Sequence, residues 1–141
     1  MKSVQILLVE DNEGDILLIS DALAESKIIN TISVVRDGQL AIDFLNQKKP
    51  FEEATLPNLI LLDINLPKKN GQEVLKYIKE STKLRQIPVV MLTTSSSKKD
   101  ISDAYKNYVS CFITKPLDIH EFLNVVTKIE NFWINIVQLP K

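Results

Sequence analysis

The segment Leu59-Ile60-Leu61-Leu62-Asp63-Ile64-Asn65-Leu66-Pro67 constrains this chain more than any other. An unbroken aliphatic run reads as a strand buried on both faces, the pattern of a parallel sheet covered by helices. The run then delivers one carboxylate, Asp63, where the strand gives out. An ionised Asp adds nothing to an apolar core and is costly to desolvate, so it is expected in a solvent-reachable pocket at the strand end. The run Ile6-Leu7-Leu8-Val9 ends in the same way, on Glu10 and Asp11. Three carboxylates on the ends of two buried strands make a hard oxygen site suited to Mg²⁺. One of them is then available as a nucleophile towards phosphorus.

Strand and helix signals alternate along the rest of the chain. Residues 4–9 read as a strand and 13–26 as a helix, with Leu17, Leu18, Ala22 and Leu23 as its apolar stripe. Thr31 to Val35 is β-branched and strand-like, and Arg36-Asp37-Gly38 reads as a turn. A short helix over about 39–47 turns Leu40, Ala41, Phe44 and Leu45 inward, and 48–57 is a polar loop. After the strand at 58–63, Asn70-Gly71 opens a helix through about Ser81 with Val74, Leu75 and Ile78 inside. Pro88 to Leu92 is a fourth strand, and the serine run after it caps a helix over about 98–108. Ser110 to Thr114 is the fifth strand, after which Asp118 and Glu121 stand at N-cap and N3 spacing to open a last helix. Five strands alternating with five helices imply a doubly wound α/β fold, a five-stranded parallel sheet in one domain. With strand order 2-1-3-4-5 the switch in order falls between the strands that carry Glu10-Asp11 and Asp63, where such folds bind ligands.

Composition narrows the classes of partner. Seventeen basic against eighteen acidic residues give a net charge of −1. No polybasic arm accompanies that balance, so neither nucleic acid nor an anionic membrane is an expected partner. The apolar runs are strand-sized, far below the ~20 residues that span a bilayer. The N-terminus carries no signal-peptide pattern, and the single cysteine, Cys111, reads as a buried reduced thiol in an apolar segment. A cytoplasmic location is the expectation.

Taken in order and on these elements, Glu10-Asp11, Asp63, Thr93 and Lys115-Pro116 resemble the receiver domain of two-component response regulators over about residues 4–129. The resemblance implies a flavodoxin-like fold and gives each residue an expected part. Asp63 would be the phosphoacceptor, attacking a phosphohistidine and becoming an acyl phosphate. Asp11 would ligate Mg²⁺ directly, with Glu10 reaching it through water and the Asn65 backbone carbonyl as a further ligand; Mn²⁺ could substitute. Lys115 would be the counter-charge of the phosphoryl group, held by a cis Pro116. Thr93 would supply the hydroxyl that reorients on phosphorylation, and Phe112 stands where many receivers carry a switching Tyr. Thr94, bulkier than the family's usual residue there, would narrow the path of water. Outside the motif each has a plainer reading: helix caps for the acids, a solvated strand-end lysine, a β-branched strand residue, a core aromatic. His120, Lys48-Lys49, Lys68-Lys69 and Lys98-Lys99 are expected to be solvated, with Lys68-Lys69 near the Asp63 edge able to steer an acidic partner.

Beyond residue 129, residues 130–141 carry Phe132, Trp133, Ile134, Ile136, Val137 and Leu139, an apolar extension of the last helix and a candidate interface. This ending, with LPKKNG after Asp63 and LTTS after the fourth strand, is similar to the small stand-alone regulators that partner bacterial phytochrome histidine kinases. The expected function is therefore a single-domain response regulator. It is no conventional enzyme, catalysing only its own phosphotransfer and autodephosphorylation. It would accept phosphate from a phytochrome-type kinase and signal by contact with an unidentified downstream protein, as a homodimer. The contact face would be the helix before the fifth strand, that strand and the last helix. Two alternatives stay open: a Mg²⁺-dependent Asp-nucleophile phosphatase or phosphotransferase, which Asp63-x-Asn65 superficially resembles, and a scaffold that works without phosphorylation.

Overall fold

Alternating strand and helix signals resolve into one parallel sheet with helices on both faces. The computed structural model describes residues 3–26, 29–93, 102, 105–106, 109, 111–115 and 118–130. Its elements are β1 (Val4–Val9), α1 (Glu13–Glu25), β2 (Asn30–Val35), α2 (Gly38–Leu45), β3 (Leu59–Asp63), α3 (Gly71–Glu80), β4 (Val89–Thr93), β5 (Cys111–Thr114) and α4 (Ile119–Glu130). The strands lie in the order β2-β1-β3-β4-β5, all pairs parallel, as expected. Of the helix expected over 98–108, Ser102, Tyr105 and Lys106 are described and are helical; the rest of that stretch lies outside the described residues.

Period-two alternation sorts the strand residues between two cores. Leu7, Val9, Ile60, Leu62, Val89 and Met91 pack with Val74, Leu75 and Ile78 of α3 and with Ala41, Phe44 and Leu45 of α2. Ile6, Leu8, Leu59, Leu61, Val90 and Leu92 face the other way, onto Ile16, Ile19 and Leu23 of α1 and Phe122 and Val126 of α4. All of β3 and β4 is buried, while β5, at the sheet edge, is half-buried.

Three local readings change. In α1 the inward residues are Ile16, Ile19, Ala22 and Leu23, whereas Leu17 and Leu18 of the expected stripe are 56% and 41% exposed. Ile16-Leu17-Leu18-Ile19 is apolar all round, so periodicity alone does not fix which side meets the sheet. Asp37, expected in a simple turn, is the N-cap of α2 and accepts from the Leu40 N–H at 2.7 Å. Cys111 is a free thiol but only half-buried, and burial is the main influence pushing its pKa up.

Two glycines set the loops at the carboxyl edge. A Cβ on Gly71 would stand 2.2 Å from the Asp63 carbonyl oxygen, and one on Gly38 would stand 1.8 Å from the Lys69 carbonyl oxygen. Only residues without a side chain allow α3 to start against the end of β3 and α2 to start against the loop that follows Asp63. Asn70 completes the α3 start with a reciprocal capping box to Glu73.

Candidate phosphoacceptor and metal site

The site is built where β1, β3, β4 and β5 end. Glu10 follows β1 and is fully buried. Its Oε2 accepts from the Asn12 N–H at 3.3 Å and its Oε1 from Lys115 Nζ at 2.6 Å. Asp11 is exposed and opens the site to solvent. Asp63, the last residue of β3, is 4% exposed, not solvent-reachable as a strand-end carboxylate was expected to be. It can be enclosed because its charge is met: Oδ1 accepts from the Asn65 N–H at 3.2 Å and Oδ2 lies 3.4 Å from Lys115 Nζ. Glu10, Asp11 and Asp63 present carboxylate oxygens that all lie within 4.8 Å of one another. Three clustered hard donors, one of them open to water, fit a small divalent cation that keeps part of its hydration shell.

Lys115 lies one residue beyond β5 and its side chain is 7% exposed. Its backbone is tied to the sheet by an N–H donated to the Thr93 carbonyl at 2.6 Å. Thr93 ends β4 fully buried, in register with Thr114. Phe112, in register with Met91, is packed against the core on the α2–α3 side. Alternation places Thr93 on that same face of the sheet, two residues beyond Met91. Asn65 is exposed just past Asp63. Pro116 and Thr94 lie outside the described residues, as do Lys98 and Lys99. His120 and Lys48 are exposed, and Lys68 stands 4.0 Å from Asp37.

Sequence reasoning missed Asp15. Its Oδ2 lies 2.8 Å from Lys115 Nζ, closer than Asp63. The available signal was proximity in sequence: Asp15 lies in the first turn of the helix that opens directly after the acidic pair. Asn12 caps that turn by accepting from the Asp15 N–H at 2.9 Å.

The charges respond to one another. Burial, reinforced by the hydrogen bond and charge of Asp63 and opposed by Lys115, pushes the Glu10 carboxyl up to about 7. Burial pulls the Lys115 ammonium down, but hydrogen bonds to Asp15 and Glu10 and the charges of Asp63 and Glu10 outweigh it, so the group is held above the ordinary lysine range. The arrangement is a cationic lysine bridging acids, two of which belong to the cluster that can hold a divalent cation.

Comparison with known proteins agrees with this geometry. Residues 6–127 match the response regulator receiver domain family. The chain is 44% identical to response regulator Rcp1 of Synechocystis sp. over 135 residues, 96% of this chain and 92% of that protein. A crystal structure of the Mn²⁺-bound form of Rcp1 superposes with a TM-score of 0.82 at 43% identity, covering 98% of this chain and 99% of that one. The crystal structure of the phosphorylated cyanobacterial phytochrome response regulator RcpA superposes with a TM-score of 0.84 at 44% identity, covering 99% of this chain and all of that one. The probable methanogenesis regulatory protein FilR2 of Methanothrix harundinacea is 42% identical over 135 residues, 96% of this chain and 86% of that protein. Among the described residues no helix is long and apolar enough to cross a membrane. With its sheet order, its acidic strand ends and its bridging lysine, the chain belongs to the response regulator receiver domain family.

Proposed function

We propose that this receiver is a phosphorylation switch that takes a phosphoryl group from a histidine kinase onto Asp63. The observation that carries the reading is the convergence of Glu10, Asp11 and Asp63 on one point with Lys115 bridging Glu10 and Asp63. An Asp63 carboxylate oxygen attacks phosphorus, the P–N bond to the donor imidazole breaks, and the imidazole leaves and is reprotonated. Lys115 supplies the ammonium that meets the developing charge on the phosphoryl oxygens. Mg²⁺ is the proposed cofactor, held by Asp11, Asp63 and the Asn65 carbonyl with Glu10 behind, and Mn²⁺ fits the same donors. When bound, the cation neutralises charge on the carboxylates and the transferred group. Reversal of the modification is hydrolysis of the acyl phosphate by the same site, the only turnover assigned to the chain.

Thr93 and Phe112 share a sheet face, which supports a relay in which the Thr93 hydroxyl turns towards the phosphoryl group and the Phe112 ring repacks. A groove of about 480 Å³ lies across β5 and α4, lined by Phe112, Thr114, Glu121, Asn124, Val125 and Lys128 among others. This is the face we assign to the homodimer or the downstream protein; residues 131–141, the apolar extension expected to add to it, lie outside the described residues. Likeness to the cyanobacterial phytochrome response regulator RcpA supports a phytochrome-type kinase as donor. The 42% identity to FilR2 makes a direct comparison of kinases necessary.

Mg²⁺ with acetyl phosphate should add one phosphoryl group, read by intact mass. Asp63→Asn should abolish the addition and Asp11→Ala should strongly weaken Mg²⁺ binding. Full labelling of Asp63→Asn would sink the proposal. Transfer from a phytochrome-type kinase should outpace transfer from an unrelated histidine kinase. Steady turnover of an external phosphomonoester would instead support the phosphatase alternative, which the missing acid at Asn65 argues against.

A further inference from the structure

The partners of Lys115 divide unequally. An ammonium has three N–H donors, and here they meet Glu10 at 2.6 Å, Asp15 at 2.8 Å and Asp63 at 3.4 Å. The contact to the proposed phosphoacceptor is the longest of the three. Glu10 belongs to the carboxylate cluster that can hold a cation, and Asp15 does not. A cation shared with Glu10 would weaken that acid's hold on the lysine, and Asp15 would keep its own. The backbone of Asp15 is also fixed in place, because it sits in the first turn of α1 and its N–H is tied to the Asn12 side chain.

We propose that Asp15 is a positioning residue that holds the Lys115 ammonium back from Asp63 until a phosphoryl group competes for it. The inference rests on the reading of Asp63 as phosphoacceptor and adds a restraint on that reaction. Phosphoryl uptake requires Lys115 to exchange part of its contact with Asp15 for the phosphoryl oxygens. Asp15 thereby sets how readily the site accepts the group and takes no part in the bond-making itself.

The test is labelling by acetyl phosphate at saturating Mg²⁺ in wild type, Asp15→Asn, Asp15→Glu and Asp63→Asn, followed by intact mass. Asp15→Asn keeps the side-chain shape and the helix cap, which uses the backbone N–H of Asp15, and thermal melts check that it folds. Its labelling rate should rise roughly three- to fivefold, the factor that a partly exposed ion pair carries. Asp15→Glu should return the rate towards wild type. In a Lys115→Met background the acceleration by Asp15→Asn should be lost, because the effect passes through the lysine. A crystal structure of Asp15→Asn should show Lys115 Nζ nearer to Asp63 than the present 3.4 Å. An unchanged or slower rate, an acceleration that persists without Lys115, or an unmoved ammonium would each overturn the proposal. If wild type itself takes up no label, the phosphoacceptor reading has failed, a result separate from the loss of the Asp15 effect in a wild type that labels.

Discussion

β3 and β5 both end at the site, yet they hold their functional residues by different means. Every residue of β3 is buried, and its backbone continues into a loop pinned by Gly71 against the Asp63 carbonyl. Asp63 is therefore placed by packing. β5 is a half-buried edge strand of four residues, and the residue after it reaches the site through a long flexible side chain. Lys115 is placed by charge, drawn among Glu10, Asp15 and Asp63. Under the proposed function, a carboxylate that presents a reacting oxygen would benefit from the rigid mounting, and an ammonium that follows a moving charge would benefit from the loose one.

The sharpest way to break this contrast is to weaken each mounting in turn. Leu61→Ala, in the fully buried β3, should cost about 2–5 kcal/mol in urea unfolding. Ile113→Ala, on the half-buried β5, should cost clearly less. Equal costs would mean that the edge strand is as tightly held as the central one.

Lys115→Met should come next, at about 3 kcal/mol at pH 8, because it strips the counter-charge from buried Glu10. Glu10 can escape most of that penalty by binding a proton, so the loss should shrink near pH 5.5. A pH-independent loss would show that the lysine matters by its packing and not by its charge.

Glu10 itself predicts a pH effect. Its carboxyl, raised from 4.5 to about 7 in the folded chain, stabilises the fold fully below about 4.5 and loses that contribution as pH rises through 7. Without added cation, melting temperature should drift down between pH 5 and 8, and Glu10→Gln should flatten the drift. Mg²⁺ held at this cluster as proposed would compete with the proton, so its stabilisation should be larger at pH 8 than at pH 6. A Mg²⁺ shift that is larger at pH 6 would place the cation away from Glu10.

The smallest effect concerns α1. Leu17→Ser should change stability by no more than about 0.5 kcal/mol, since Leu17 is 56% exposed, while Ile19→Ala should be costly. A large loss at Leu17 would restore the stripe that the sequence pattern suggests and place that side chain against a partner.

How much was legible follows from the same contrast. The runs Ile6–Val9 and Leu59–Leu62 are local signals, and an acid at the end of a buried strand is a local fact, so the sequence alone determined the parallel sheet, the helices alternating with its strands and the identities of Glu10, Asp11 and Asp63 as candidates. The resemblance added Thr93 and Lys115 because their spacing along the chain is characteristic, although neither reveals itself by type. Tertiary structure alone decided which side of α1 faces the sheet, that Asp63 is enclosed, and that Asp15 is a close partner of Lys115. The pair Asp15–Lys115 spans 100 residues of sequence. Its formation depends on where a flexible ammonium finds the deepest negative potential once four strand ends are brought together. Hydrophobic periodicity encodes which residues a strand buries; the balance of several buried charges exists only after the strands are side by side.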